Sequence, residues 1–348
     1  MRNRWTSVLA CVVVGVLATG ALGQASGERR WEGLQRLEKF EDAFELAVRE
    51  AERDGASWSW ALLAARSAGA MGDAEGAGRW VGESAARGYS GIATIEAMRE
   101  FDGVRGEEAF EVGVEAVRAR AAARMDAFKE EASRHEPFVV RTAPAGDGQG
   151  AGPILVIALH GTGGTGRPLA ESVAASLEGA GVRAVVVGPD GVRSSGSGYA
   201  WTFVDEASWF VGHLIERFGE EYGIERQRTV VLGFSQGANV LLEKARTEAG
   251  WCAGVVAVCG YVETERDWGV LGEDAERVRV WLVIGQRDPW VRNNRESVGL
   301  LEGAGFDVKL EIVARRGHEV PSGALGERVL GAAVLDAANA VVRVERGP

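Results

Sequence analysis

Cysteine is scarce. The 348-residue chain carries three, Cys11, Cys252 and Cys259, too few for a disulfide framework. Cys11 sits in an apolar N-terminal run, which leaves Cys252 and Cys259. The residues between them, Gly254-Val255-Val256-Ala257-Val258, read as a buried strand. A strand of that length puts the two thiols ~23 Å apart, far beyond disulfide reach, so two free thiols are expected. Histidine is also rare: His135, His160, His213 and His318. No cluster of His, Cys and acids has metal-ligand spacing, so neither metal nor cofactor is expected. Blocks of Lys and Arg are missing, and the formal net charge is -11. Such a chain repels phosphate backbones and is not expected to bind nucleic acid. Past residue 22 no stretch is long and apolar enough to cross a membrane.

What the N-terminus does have is the pattern of a secretory signal. Arg2 and Arg4 precede an apolar run from Val8 to Leu22, and Ala21-Leu22-Gly23 places small residues where a signal peptidase reads. Residues 1–23 are expected to be a signal peptide cleaved after Gly23, making the protein periplasmic or extracellular. The run is short for a retained anchor.

From residue 28 to 135 the periodicity is helical. Trp31, Leu34, Leu37, Phe40, Phe44, Ala47, Val48 and Ala51 predict one helix stopped at Gly55. Further helices are predicted over Trp58–Met71, over Ala74–Arg87 and from Glu107 onward, with Gly72 and Gly88 as stops. Gly72-Asp73-Ala74-Glu75-Gly76-Ala77, followed by Val81, Ala85, Gly88 and Tyr89, resembles the second half of a tetratricopeptide-type hairpin. The resemblance implies a surface that could hold a protein partner. The alternative is a small helical bundle.

After the Gly-rich loop Ala143–Gly152 the pattern changes. Strand-like runs at Phe138–Val140, Ile154–Leu159, Ala184–Val187, Thr229–Leu232, Val255–Val258, Val280–Ile284 and Val308–Ile312 alternate with helix-like segments. Residues 136–348 therefore predict an α/β domain with a doubly wound, mostly parallel sheet covered on both faces. Such sheets bind ligands beyond the carboxyl ends of their strands.

Gly233-Phe234-Ser235-Gln236-Gly237 stands between an apolar strand and a helix. That context is a nucleophile elbow, a strained turn that holds a Ser hydroxyl above the sheet. In a chain with 49 Gly the motif alone is weak, but its partners can be sought at other strand ends. Asp288 follows the Val280–Ile284 strand, and His318 follows the Val308–Ile312 strand. His318 is also the only His beyond both Ser235 and Asp288. A serine hydroxyl needs a base, and the base needs a carboxylate to hold its tautomer. Asp267 and Asp274 are reserve acids, placed before the strand.

Ile154–Leu159 runs into His160-Gly161-Thr162-Gly163-Gly164. Glycine-rich backbone at a strand end can present N–H groups to an oxyanion. The expected donors are the N–H groups of Thr162 and Gln236, with Gly163 as the alternative to Thr162. His160 is expected to brace the loop. A phosphate loop is set aside because the Lys-Ser/Thr ending is missing. Tyr199, Trp201 and Trp290 are candidate substrate walls, and Phe234 is expected in the core.

With these residues in that order, 136–348 resembles the α/β-hydrolase superfamily, in its carboxylesterase/phospholipase and polyhydroxybutyrate-depolymerase-type branches. The resemblance implies a serine hydrolase that cleaves carboxylic esters through Ser235, His318 and Asp288. The interval Cys259–Arg279, where relatives insert a lid, is short, so an open site is expected. The alternatives are a serine peptidase of prolyl-oligopeptidase type and a non-catalytic scaffold using the helical part.

Overall fold

A computed structural model of the chain describes residues 24–53, 57–143, 152–191, 193–248, 250–262, 264, 268 and 278–345. They fall into two compact units, divided along the chain between Ser133 and Arg134. The expected signal peptide, the Gly55 stop and most of the Ala143–Gly152 loop lie outside the described residues. So do the reserve acids Asp267 and Asp274 and much of the Cys259–Arg279 interval. No helix among the described residues is long and apolar enough to cross a membrane.

The N-terminal unit is all helical: α1 Gln24–Arg36, α2 Phe40–Arg53, α3 Trp58–Ala70, α4 Ala74–Ala86, α5 Ile92–Ala97 and α6 Glu108–Ser133. Ser57 caps α3, and the Asp73 carboxylate caps α4 by accepting the Gly76 N–H at 2.9 Å. Gly72 makes the turn between them at φ +74°. Trp31, Leu46, Trp60, Trp80, Val81, Phe101 and Phe110 form a shared core. Helices α4 and α6 cross where Gly78 meets Gly113; a Cβ on either would overlap the other helix's backbone. The single helix expected from Trp31 to Ala51 is two. Glu38 adopts φ +57° between α1 and α2, and Leu37, counted in the apolar stripe, is 69% exposed. A short left-handed turn restarts the helix nearly in phase, so the periodicity runs through the break. The short helix α5 and the turn Arg99–Phe101 fall in a stretch with no predicted element.

The second unit is built on a seven-stranded sheet. Its strands are β1 Phe138–Arg141, β2 Ile154–Leu159, β3 Ala184–Gly188, β6 Thr229–Phe234, β7 Gly254–Val258, β8 Arg279–Gly285 and β9 Asp307–Val313. Their order across the sheet is β1-β3-β2-β6-β7-β8-β9. Only β1 is antiparallel. Strands β2, β3 and β7 are buried along their whole length, as central strands covered on both faces must be. Helices α7 Gly166–Gly179, α8 Val204–Tyr222, α9 Gln236–Thr247, α10 Val291–Gly303 and α11 Ala332–Glu345 connect or follow them. A separate hairpin, β4 Arg193–Ser195 and β5 Gly198–Ala200, turns at Gly196 between β3 and α8. Its three-residue strands carry no apolar alternation, so the sequence predicts only a loop there.

The chain leaves β2 for β3 on one side and returns across it to β6 on the other. That reversal opens a crevice past the ends of β2 and β6, the usual ligand position in such sheets. Leu159, the last residue of β2, is in register with Gly233 of β6. Thr162 and Ser235 therefore leave neighbouring strands at the crevice.

Candidate functional site

Ser235 joins β6 to α9 at φ 52°, ψ -116°, a conformation costly for a residue with a Cβ. The surroundings hold it there. Its N–H donates to Val258 O at 2.9 Å, and Ser235 O accepts the Asn239 N–H at 3.1 Å. The flanking glycines have no alternative: a Cβ on Gly233 would lie 2.5 Å from the Ala238 nitrogen, and one on Gly237 would overlap Leu159 O.

His318 Nε2 lies 2.9 Å from Ser235 Oγ, and His318 Nδ1 lies 2.8 Å from Asp288 Oδ2. A carboxylate only accepts, so Nδ1 carries the proton and the Nε2 lone pair faces the serine hydroxyl. The Asp288 side chain is fully buried, whereas that of His318 is 36% exposed. Asp288 Oδ1 accepts the Trp290 N–H at 2.8 Å. The loops bearing the acid and the base are stapled together. Gln286 N–H donates to Val313 O, Arg287 N–H to Arg316 O and Arg315 N–H to Gln286 Oε1. Gly285 permits this approach, since a Cβ there would overlap Gly317 O. Phe234, expected in the core, is half-buried with its ring 5.2 Å from that of His318.

Gly161 brings the β2 loop up to the serine; a Cβ there would sit 3.2 Å from Ser235 Cβ. The Gly163 N–H is taken up by Tyr199 O at 2.8 Å. Among the described residues Thr162 N–H has no such partner, so of the two alternatives the geometry favours Thr162. Gln236 opens α9, where the first N–H groups lack partners within the helix. Its side chain grips the Trp201 backbone, accepting from Trp201 N–H at 3.0 Å and donating to Trp201 O at 3.3 Å.

His160 is buried and braces the loop. Nδ1–H donates to Gly161 O at 2.7 Å, and Nε2 accepts the Gly191 N–H at 3.0 Å. Burial holds its pKa below the ordinary histidine value. Trp201, a candidate substrate wall, belongs instead to the interior: it is 4% exposed and its indole N–H donates to His160 O at 2.8 Å. Tyr199 and Trp290 are half-buried. Trp290 packs edge-on against Tyr261 with ring centres 4.8 Å apart, and Tyr261 is held by Asn239 Oδ1, which accepts its N–H at 2.8 Å.

Cys252 and Cys259 are both free and buried, with β7 between them. Burial, with Asp288 adding to it, pushes the Cys259 thiol up to about 12. Spacing in the chain reveals no metal-ligand set, yet the fold brings Cys259, Asp288 and His318 together. Cys259 directly follows β7, so the strand-end reasoning that finds Asp288 and His318 could have found it too.

Residues 204–322 match the family described as Phospholipase/Carboxylesterase, a segment that includes Ser235, Asp288 and His318. No curated protein matches the chain. Among solved structures, the chain resembles esterase PE8 at 20% identity and a TM-score of 0.47, over 58% of this chain and 99% of that one. It resembles the carboxylesterase of Bacillus cereus at 20% identity and a TM-score of 0.46, over 60% of this chain and 99% of that one. For the carboxylesterase of Mesorhizobium loti the values are 16% and 0.45, over 53% and 90%.

Proposed function

We propose that this protein is a carboxylic ester hydrolase of the α/β-hydrolase superfamily, an exported serine esterase whose nucleophile is Ser235. One observation carries the reading: Ser235 Oγ, His318 and buried Asp288 form a continuous hydrogen-bonded chain on a strained turn at the crevice. Export rests on the basic, apolar and small-residue pattern of residues 1–23.

The reaction follows from the atoms. Ser235 Oγ attacks the ester carbonyl carbon while its proton passes to His318 Nε2. Asp288 steadies the imidazolium and keeps Nδ1 protonated. The carbonyl oxygen, now anionic, takes hydrogen bonds from the Thr162 and Gln236 N–H groups, each of which can contribute roughly 3–4 kcal/mol to the transition state. Collapse breaks the bond to the alcohol, which leaves with the proton from Nε2. Water then gives a proton to Nε2 as it attacks the acyl carbon, and the acid is released when the bond to Ser235 Oγ breaks and Oγ takes that proton back from Nε2. Tyr199, Trp290 and Tyr261 stand as walls for the acyl or alcohol part.

A panel of p-nitrophenyl esters beside peptide p-nitroanilides tests the ester assignment. Turnover of the esters with little or none of the anilides is expected. Preferential turnover of the anilides would replace the assignment with a peptidase.

A further inference from the structure

Beside the His318 and Asp288 pair lies one side chain that the hydrolytic reading does not use, the thiol of Cys259. Cys259, Asp288 and His318 each offer a donor atom, and these atoms lie within 4.8 Å of one another. The pair His318 Nδ1 and Asp288 Oδ2 is already at 2.8 Å. Three atoms no more than 4.8 Å apart share a point within about 2.8 Å of all three. Zinc bonds to sulfur, nitrogen and carboxylate oxygen run about 2.0–2.3 Å, so shifts of less than an ångström suffice. A small cavity of about 30 Å³ is lined by Cys259, Gly285, Glu319 and Pro321 among others.

We propose that Cys259, Asp288 and His318 form an inhibitory site for a thiophilic divalent ion of the Zn2+ or Cd2+ class. The donor set is one thiolate, one imidazole and one carboxylate, with a fourth tetrahedral position open to water. Such mixed sulfur and nitrogen sets select zinc-like ions over magnesium or calcium. Binding breaks the Nδ1–H to Asp288 hydrogen bond. The Nδ1 proton is lost to solvent as Nε2 gains one, and the Cys259 thiol releases its proton, so one proton leaves for each ion bound. The metal-bound imidazole then carries its hydrogen on Nε2, where it has no lone pair to accept the Ser235 proton. The ion switches off the base without touching the serine. The inhibition rests on the esterase reading; the binding does not.

Both halves can be read separately in the full chain. Cd2+ is titrated into the Ser235→Ala variant, and the thiolate-to-cadmium ultraviolet band reports binding with no turnover involved. The band is expected at one equivalent. It is expected to persist when Cys11 and Cys252 are both replaced by Ala, which leaves Cys259 as the only thiol in the chain. Absence of the band in either protein overturns the site. In the esterase assay, Zn2+ or Cd2+ should inhibit and a chelator should restore the rate. Measured against its own metal-free rate, Cys259→Ala should need more than about tenfold more metal for the same inhibition, since even loss of a ligand's outer partner costs 10–100-fold in affinity. Unchanged metal sensitivity in a folded Cys259→Ala, or full activity of the wild type with the band formed, contradicts the proposal.

Discussion

His160 accepts the backbone N–H of Gly191 through Nε2 at 3.0 Å. One residue earlier, the Asp190 N–H donates to His135 Nε2 at 3.2 Å. Two neutral imidazoles thus hold two consecutive amides of the loop that leads into the β4–β5 hairpin and Trp201. Protonating either ring replaces an acceptor with a donor facing an N–H.

Burial lowers the pKa of both rings; the Asp190 carboxylate opposes the shift at each, and at His135 Glu136 also opposes it while Arg217 adds to it. A histidine with a lowered folded-state pKa binds its proton more tightly when unfolded. Its stabilisation is complete above the ordinary value near about 6.5 and is lost as pH falls from there through the lowered folded values. Denaturation midpoints measured from pH 8 down to about 4 should decline below that value. His160→Gln should start lower and decline less. An equal decline in both proteins would show that His160 plays no part.

Asp288→Asn keeps the shape of the buried side chain but can impose the wrong imidazole tautomer on His318. The kcat for p-nitrophenyl acetate is expected to fall by ~10⁴ with KM little changed, as such replacements do in serine hydrolases. Loss of less than about tenfold would mean that another acid orients the base.

Gly237→Ala should fail for a steric reason. The added methyl would overlap Leu159 O, a backbone atom of a central strand that cannot swing aside. Overpacking of this kind costs about 1–3 kcal/mol, and relief by tilting the elbow would move Ser235 off His318. A lower Tm together with loss of ester turnover is expected. A wild-type Tm with full activity would contradict so tight a turn.

Gln236→Ala separates the side chain from the main chain. It removes the two hydrogen bonds to Trp201, worth about 1–2 kcal/mol together, but leaves the backbone N–H. Stability should drop by that amount while kcat falls less than about tenfold, well short of the 10²–10³ lost with an oxyanion donor. A larger fall in kcat would assign the side chain itself to the reaction.

Much of this is legible in the sequence because the chemistry sits where regular patterns end. Ser235, Asp288 and His318 each follow the end of a predicted strand, and their order along the chain leaves little choice of partners. The inner strands β2, β3, β6 and β7 are legible for the same reason: buried parallel strands are near-continuous apolar runs. What escapes depends on contacts that periodicity does not carry. Trp201 follows a polar hairpin and looks available to a ligand, but the Gln236 side chain and His160 O draw it inside. Glu38 breaks a helix with a left-handed turn that any short polar stretch could make. Gly163 and Thr162 are equivalent in sequence, and only the Tyr199 carbonyl tells them apart.

Every proposed step of the reaction depends on Ser235. A fluorophosphonate probe reacts only with a serine whose proton is drawn off by a neighbouring base. Intact-mass analysis after labelling should show one adduct, mapped by peptide mass to Ser235, on the wild-type protein. It should show none on Ser235→Ala with an unchanged Tm, and that variant should have lost ester hydrolysis. A folded wild type that takes no label, or a Ser235→Ala protein that still turns over esters at a substantial rate, contradicts the nucleophile and the mechanism built on it.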